Sequence, residues 1–241
     1  MDLARTQVVD LAESLTKAEW EVVHSAQSLV FAPWMERKMR FSPACCGILF
    51  VRNYAFASNG HWAMKLRTDG TFIDPSVTSL FYDYIADDVL ENVNPFEKEH
   101  VPLELMFALF NIWKKYTVKV RVEDLIAVIE ANFKFIRDRR YTAFHGGMDG
   151  DTNELGIRLE HKDDKIPLVR IPIYGRTQPE EFPEFCVNTS YLHKILEMLR
   201  PHIHLVELGF DGTLGESLLI KAKNPGSDKA DMRFILGQYQ T

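Results

Sequence analysis

Cysteine is scarce in this 241-residue chain, which has only Cys45, Cys46 and Cys186. The first two are adjacent, and a bridge between neighbours is strained, so no disulfide framework is available and a reducing compartment is expected. Long hydrophobic runs are missing as well. No stretch approaches the ~20 apolar residues that span a bilayer. The opening Met1-Asp2-Leu3-Ala4-Arg5 also lacks the layout of a signal peptide, so a cytoplasmic protein is expected. Positive charge is in deficit: 28 Lys and Arg face 34 Asp and Glu, a net charge of −6. A globally basic nucleic-acid binder is thereby excluded, although net charge describes the sum and not its placement. There is no GxSxG, P-loop, HExxH or GxGxxG string, so the sequence advertises neither catalysis nor a cofactor, and none is expected.

What is present is an ordinary globular balance, with 46% hydrophobic and 26% charged residues, long enough for one large domain or two of roughly 120 residues. Residues 16–31 read as an amphipathic helix on Trp20, Val23, Gln27 and Val30, with Thr16 as its cap. CGILFVR and YAFASNGHWAMKLR then read as strands broken at Asn53 and Asn59-Gly60. FYDYIADDVLENV suggests a short helix. A second long helix follows Pro102 (LELMFALFNIWKKY), then a strand, TVKVRV, and a third helix over 122–140 with Leu125, Ile129 and Ile136 on one face. Strands return over 140–187, with turns expected at His145-Gly146-Gly147 and Asp149-Gly150-Asp151. A fourth helix opens at Asn188-Thr189 and is stopped by Pro201. HLVELGF, SLLIKAK and MRFILGQY close the chain as strands. The order helix, strands, helix, strand therefore occurs twice, joined near residue 120 without a Pro/Gly/Ser linker.

Several motifs invite chemistry and lose to simpler readings. Asp149, Asp151, Asn153 and Glu160 match positions 1, 3, 5 and 12 of a calcium loop. Glu154, however, stands where that loop's sharp turn needs glycine, and the flanks read as strands, so a hairpin is expected. His202 and His204 alternate along an expected strand with no third ligand spaced to join them. Asp83 and Asp87, one helical turn apart, read as a solvated acidic face, and Cys45 and Cys46 as small buried apolar residues.

The doubled unit resembles the DNA sliding clamp superfamily, and local strings carry the likeness. PEFCVNTSYLHKILEML resembles the bacterial β-clamp pattern of a strand ending in Val-Asn before Tyr-Leu opens an inner helix. HLVELGFDGTLGESLLIKAKNP and MRFILGQY resemble that clamp's closing strands. CGILFVRNYAFASNGHWAMKLR and VPLELMFAL resemble segments of its middle domain, with Asn59 where the family usually has Asp and Trp62 where it has Arg. The resemblance implies an α+β fold of two repeated clamp-type domains, 1–120 and 121–241, each with two helices packed on antiparallel sheet. It further implies a homo-oligomeric ring, a trimer for two-domain subunits, around duplex DNA, tethering a DNA polymerase and served by a clamp loader. Carried over residue by residue, the peptide-binding pocket for those partners falls on Ser58, Gly60, His61, Trp62 and Ala63 and on Ile235, Leu236 and Gly237. A strand end on which His61 and Trp62 merely pack locally is the plainer alternative. A clamp-fold peptide binder or scaffold that does not encircle DNA is the other functional class, with an enzyme of unrelated fold as the third.

A ring that slides needs Lys and Arg on its inner helices for mobile phosphate contacts. The candidates are Lys114, Lys115, Lys134, Arg137, Arg139, Arg140, Lys194 and Arg200. Summed over residues 16–30, 103–116, 122–140 and 189–200, the four helices carry +1, leaving −7 for the remainder. Cations at helix C-termini also stabilise the helix dipole by ~0.3–1 kcal/mol, which accounts for many of the same placements.

Overall fold

The computed structural model describes residues 47–58, 61–67, 79–83, 88–91, 108, 110–111, 114–132, 143–148, 153–161, 164–176, 182–211, 217–223 and 231–237. The helix expected at 16–31, the Cys45-Cys46 pair and the turn at 149–151 lie outside them. The chain divides into two compact units, residues 1–112 with 223–234, and residues 113–222 with 235–241.

In the first unit, β1 (Gly47–Val51) and β2 (Tyr54–Ser58) form a tight hairpin in which Val51 pairs with Tyr54. Its turn places Arg52 at φ 54, in the left-handed region, although no glycine marks the position. β2 pairs onward with β3 (Trp62–Arg67), and β1 pairs on its other side with β4 (Leu80–Asp83), which returns as β5 (Asp88–Glu91). With β15 (Asp231–Leu236) beside β3, the neighbours run β15-β3-β2-β1-β4-β5. The short helix expected over FYDYIADDVLENV is thus a hairpin. Pairing with β1 sets Phe81 opposite Leu49 and buries it, and that tertiary pairing overrides the local helical spacing. Asp83 lies opposite Asp88 across the hairpin rather than one helical turn from Asp87.

Every residue of β1 is buried, as befits a strand flanked on both sides, and Phe56 packs against Phe110 with ring centroids 6.1 Å apart. Asn111 ties the short helical stretch at 110–111 to the sheet. Its Oδ1 accepts from Lys65 Nζ at 2.9 Å and from Arg233 Nη1 at 3.1 Å, while Arg233 also donates to the Phe110 carbonyl. Lys65 is buried, its ammonium within 5.5 Å of the Tyr54 ring centroid.

The second unit opens with β6 (Tyr116–Arg121), which runs without a loop into α1 (Val122–Ala131). No side chain caps α1. Instead Val122 N–H donates to the His204 carbonyl at 3.0 Å, and Glu123 and Asp124 stand in the first turn where the dipole favours anions. The helix stops at Asn132, whose side-chain amide donates to the Val128 carbonyl. This is shorter than the 122–140 expected, because that polar side chain takes up a carbonyl the helix would otherwise leave open. β7 (Ala143–Met148), β8 (Glu154–His161), β10 (Val169–Pro172) and β12 (Phe182–Asn188) form a sheet ordered β10-β8-β7-β12, with β9 (Asp164–Lys165) against β8. α2 (Thr189–Leu199) follows β12. β13 (Leu205–Phe210) lies between β6 and β14 (Leu218–Lys223), and β11 (Gly175–Arg176) adds to the far side of β6.

β8 alternates strictly: Leu155, Ile157 and Leu159 point inward, as do Phe144 of β7 and Phe185 and Val187 of β12. The helices cover these apolar faces with Leu125, Ile126 and Ile129 of α1 and Leu192, Ile195, Leu196 and Leu199 of α2. At burial of about 25 cal/mol per Å² of apolar surface, such side chains each contribute roughly 1.5–3 kcal/mol. His145-Gly146-Gly147 is no turn but the middle of β7. A Cβ on Gly146 would lie 2.5 Å from Cζ of Phe185, so glycine is there for packing.

Asn188 caps α2, its Oδ1 accepting from the backbone N–H groups of Ser190 and Tyr191 at 3.0 and 3.3 Å. Asn188→Ala is expected to cost ~1 kcal/mol in urea unfolding. A change below a few tenths would mean the cap bonds add nothing that water does not replace. Pro201 ends the helix, and His202 and His204 sit in the bend that follows rather than along a strand.

Candidate functional site

The exposed face of the α1–α2 pair is the natural place to look for phosphate contacts. Lys194 and Arg200 stand there with Glu123, Asp124, Glu130 and Glu197, so α1 and α2 with Arg200 carry −2 rather than a surplus of cations. Arg200 is committed to carboxylates: Nε donates to Glu123 Oε1 at 3.0 Å, and Nη1 lies 3.3 Å from Glu197 and 3.6 Å from Glu130. The Glu123 hydrogen bond holds its guanidinium above the ordinary value. Lys194 is exposed on the same face. Lys134, Arg137, Arg139 and Arg140 lie outside the described residues, after the Asn132 cap.

Lys114 and Lys115 do not end a helix. The expected 103–116 helix gives way before Lys114, and Tyr116 already opens β6. Lys114 is buried, with Nζ 2.8 Å from Asp211 Oδ2, while the Lys115 backbone N–H donates to Asp211 Oδ1 at 2.8 Å. A buried, paired ammonium cannot serve as a mobile phosphate contact, which corrects the expectation for Lys114. Lys115 is exposed, its Nζ 4.8 Å from the Tyr116 ring centroid.

Of the expected peptide-pocket residues, Ser58 and Ala63 are a cross-strand pair of β2 and β3, and Ser58 Oγ donates to the Trp62 carbonyl at 2.9 Å. Trp62 is buried with 3% exposure, whereas His61 is exposed. Gly60 lies outside the described residues. Along β15 the alternation buries Leu236, leaves Ile235 half-buried and delivers Gly237 to the surface.

Sequence reasoning missed a polar cluster on the outward face of the second unit's β7-β8-β12 sheet. Cross-strand register sets His145 opposite both Arg158 and Cys186. His145 Nδ1–H donates to Glu184 Oε1 at 3.0 Å, Arg158 Nη2 lies 3.1 Å from the same oxygen, and Cys186 Sγ is 3.8 Å from His145 Nε2. The tautomer follows from these partners. Period-two alternation across three strands could have signalled the cluster, but only once the register was known.

A Cys–His pair oriented by a glutamate has the layout of an activated nucleophile, yet the electrostatics oppose it. Burial first, then the negative charges of Glu184 and Glu160, push the Cys186 thiol up to about 11, so it stays protonated at neutral pH. Alkylation of Cys186 by iodoacetamide at pH 8, followed by peptide mapping, should therefore run about a hundredfold slower than for a thiol of ordinary pKa. A rate equal to that of a small-molecule thiol would overturn this. Burial also lowers the His145 pKa below 6.5, outweighing the glutamates that raise it, so the fold favours neutral imidazole. The corresponding stability is present above 6.5 and is lost as pH falls from there toward the lowered folded value, because the unfolded chain binds the proton first. His145→Gln should flatten that acid limb in a series of urea titrations.

No protein-family model matches the chain, and no curated protein matches it. Solved structures do. The DNA polymerase III subunit beta from Pseudomonas aeruginosa superposes with a TM-score of 0.66 at 10% identity, over 94% of this chain and 65% of that one. The beta subunit from DNA polymerase of Streptococcus pyogenes gives 0.60 at 11%, over 94% and 65%. The sliding clamp from Bacillus subtilis gives 0.56 at 12%, over 83% and 58%. At such identities the likeness establishes the fold: this chain has the α+β sliding-clamp fold and spans about 65% of the length of the first two of these subunits.

Proposed function

We propose that this chain, having the sliding-clamp fold, works as a DNA sliding clamp: a cytoplasmic, DNA-associated processivity factor that encircles duplex DNA and tethers a polymerase. It acts by topology rather than chemistry. The observation that supports the reading is that 94% of the chain superposes on 65% of bacterial clamp subunits. Two domains, 1–120 and 121–241, would then close as a homo-oligomeric ring, a trimer. Polymerase and clamp loader would dock by linear peptides on Ser58, Gly60, His61, Ala63, Ile235 and Gly237, since Trp62 and Leu236 are buried. DNA would be held by Lys115, Lys134, Arg137, Arg139, Arg140 and Lys194, with no metal or cofactor needed for tethering.

Retention on circular against linear duplex, with native mass measurement, tests the ring. Retention on circles that is lost on linearisation, from a trimeric particle, is expected. A strict monomer with no topological retention would overturn it. The carboxylate surplus on the described α1–α2 face favours a second reading, a clamp-fold peptide-binding scaffold that does not encircle DNA. Charge reversal of Lys134, Arg137 and Lys194 separates them: the clamp loses DNA association while keeping peptide binding, whereas the scaffold shows no DNA effect.

A further inference from the structure

We infer that Glu130 of α1 with His193 and Glu197 of α2 forms a divalent transition-metal site, with Zn2+ as its fitting occupant. One carboxylate comes from the last turn of α1, while the imidazole and the second carboxylate come from α2 at i and i+4, which places them on one face one turn apart. One donor atom from each residue lies within 4.8 Å of the other two. The 3.9 Å between His193 Nε2 and Glu130 Oε1 is wider than the ~3.4 Å separating ligands around a tetrahedral zinc with bonds near ~2.1 Å, so rotamer adjustment of the two exposed glutamates completes the approach. The imidazole is the less adjustable partner. His193 Nε2 is shielded from solvent and stands 3.9 Å from Glu130 Oε1, already turned toward the carboxylates. A nitrogen with two carboxylate oxygens, leaving a fourth position to water, is a zinc donor set; Mg2+ and Ca2+ prefer all-oxygen shells.

Arg200 is the built-in competitor. Its Nη1 sits within 3.6 Å of both glutamates, while its Nε bond to Glu123 gives the side chain somewhere to remain when the metal enters. A bound divalent ion would also cancel the −2 of this helical face. The site itself uses residues of the second unit alone and does not depend on the clamp reading.

Calorimetric titration of the full chain with Zn2+ tests the proposal, repeated on His193→Gln, Glu197→Gln and Arg200→Gln after circular dichroism confirms that each is folded. The chain carries other histidines and cysteines, so the comparison between variants is the readout. His193→Gln and Glu197→Gln should each remove one zinc equivalent or weaken it at least about tenfold, and Arg200→Gln should tighten it, since the metal then displaces no cation. Unchanged zinc affinity in His193→Gln, weaker binding in Arg200→Gln, or equally tight binding of Mg2+ would each overturn the site. Because no DNA enters the experiment, failure here leaves the ring assay unaffected.

Discussion

Asp211→Ala is expected to destabilise the protein by roughly 3 kcal/mol, the lower end of what removing one partner of a buried ion pair costs. Lys114 keeps only 8% of its side chain exposed, and its ammonium finds Asp211 Oδ2 at 2.8 Å. Without that carboxylate the cation is stranded, and the Lys115 N–H loses its acceptor as well. Gly209 shares in the arrangement, because a Cβ there would lie 2.9 Å from Lys114 Cγ; its bare backbone lets the lysine stem lie across β13. The partial exposure of Asp211, 22% of its side chain, keeps the cost from being larger. Urea unfolding measures it, and the double variant Lys114→Met with Asp211→Leu supplies the control. Removing both charges should restore most of the loss, since no unpaired ion is left behind. A single variant as stable as wild type would mean that water reaches Lys114 freely.

Gly146→Val should cost about 2–3 kcal/mol by overpacking, and Gly146→Ala somewhat less. The Phe185 ring cannot retreat cheaply. It is fully buried, with Phe144 at 6.3 Å and Phe210 at 6.2 Å between ring centroids, so an added Cβ at 2.5 Å must move a stack rather than a loose side chain. Pairing Gly146→Ala with Phe185→Leu tests the cause. If the ring is the obstacle, the double variant loses less than the sum of the two single losses. Additive losses, or a neutral Gly146→Ala, would place the constraint elsewhere.

The same glycine shows where the sequence misleads. His145-Gly146-Gly147 has the composition of a turn, but the segment is a strand whose first glycine accommodates an aromatic ring from β12, 39 positions later in the chain. FYDYIADDVLENV likewise has helical spacing yet pairs as β4 and β5, because β1 offers an open edge that local spacing cannot reveal. The hairpin turn at Arg52 carries no glycine to announce its positive φ. Strong local signals fared better. The Asn188 opening before an apolar stripe and the Pro201 stop specify structure within a few residues of themselves, and α2 stands where they indicate.

For the candidate site the division is similar. Which residues are basic is a property of the sequence; which of them remain available is a property of packing. Lys114 was consumed by Asp211, 97 positions away, and Arg200 by Glu123, 77 positions away, so neither pairing could be read from spacing. The outward cluster of His145, Arg158, Glu184 and Cys186 exists only through strand register, which also holds the Cys186 thiol protonated.

By itself the sequence determined the α+β composition and the clamp resemblance, because periodicity, caps and turn residues act over one or two turns of chain. Only the tertiary structure decided the sign of the charge that the described helices present, −2 with Arg200 included. α1 ends at Asn132, short of its basic continuation, and ion pairs formed across the fold neutralise cations that a sum over the sequence counts at full value.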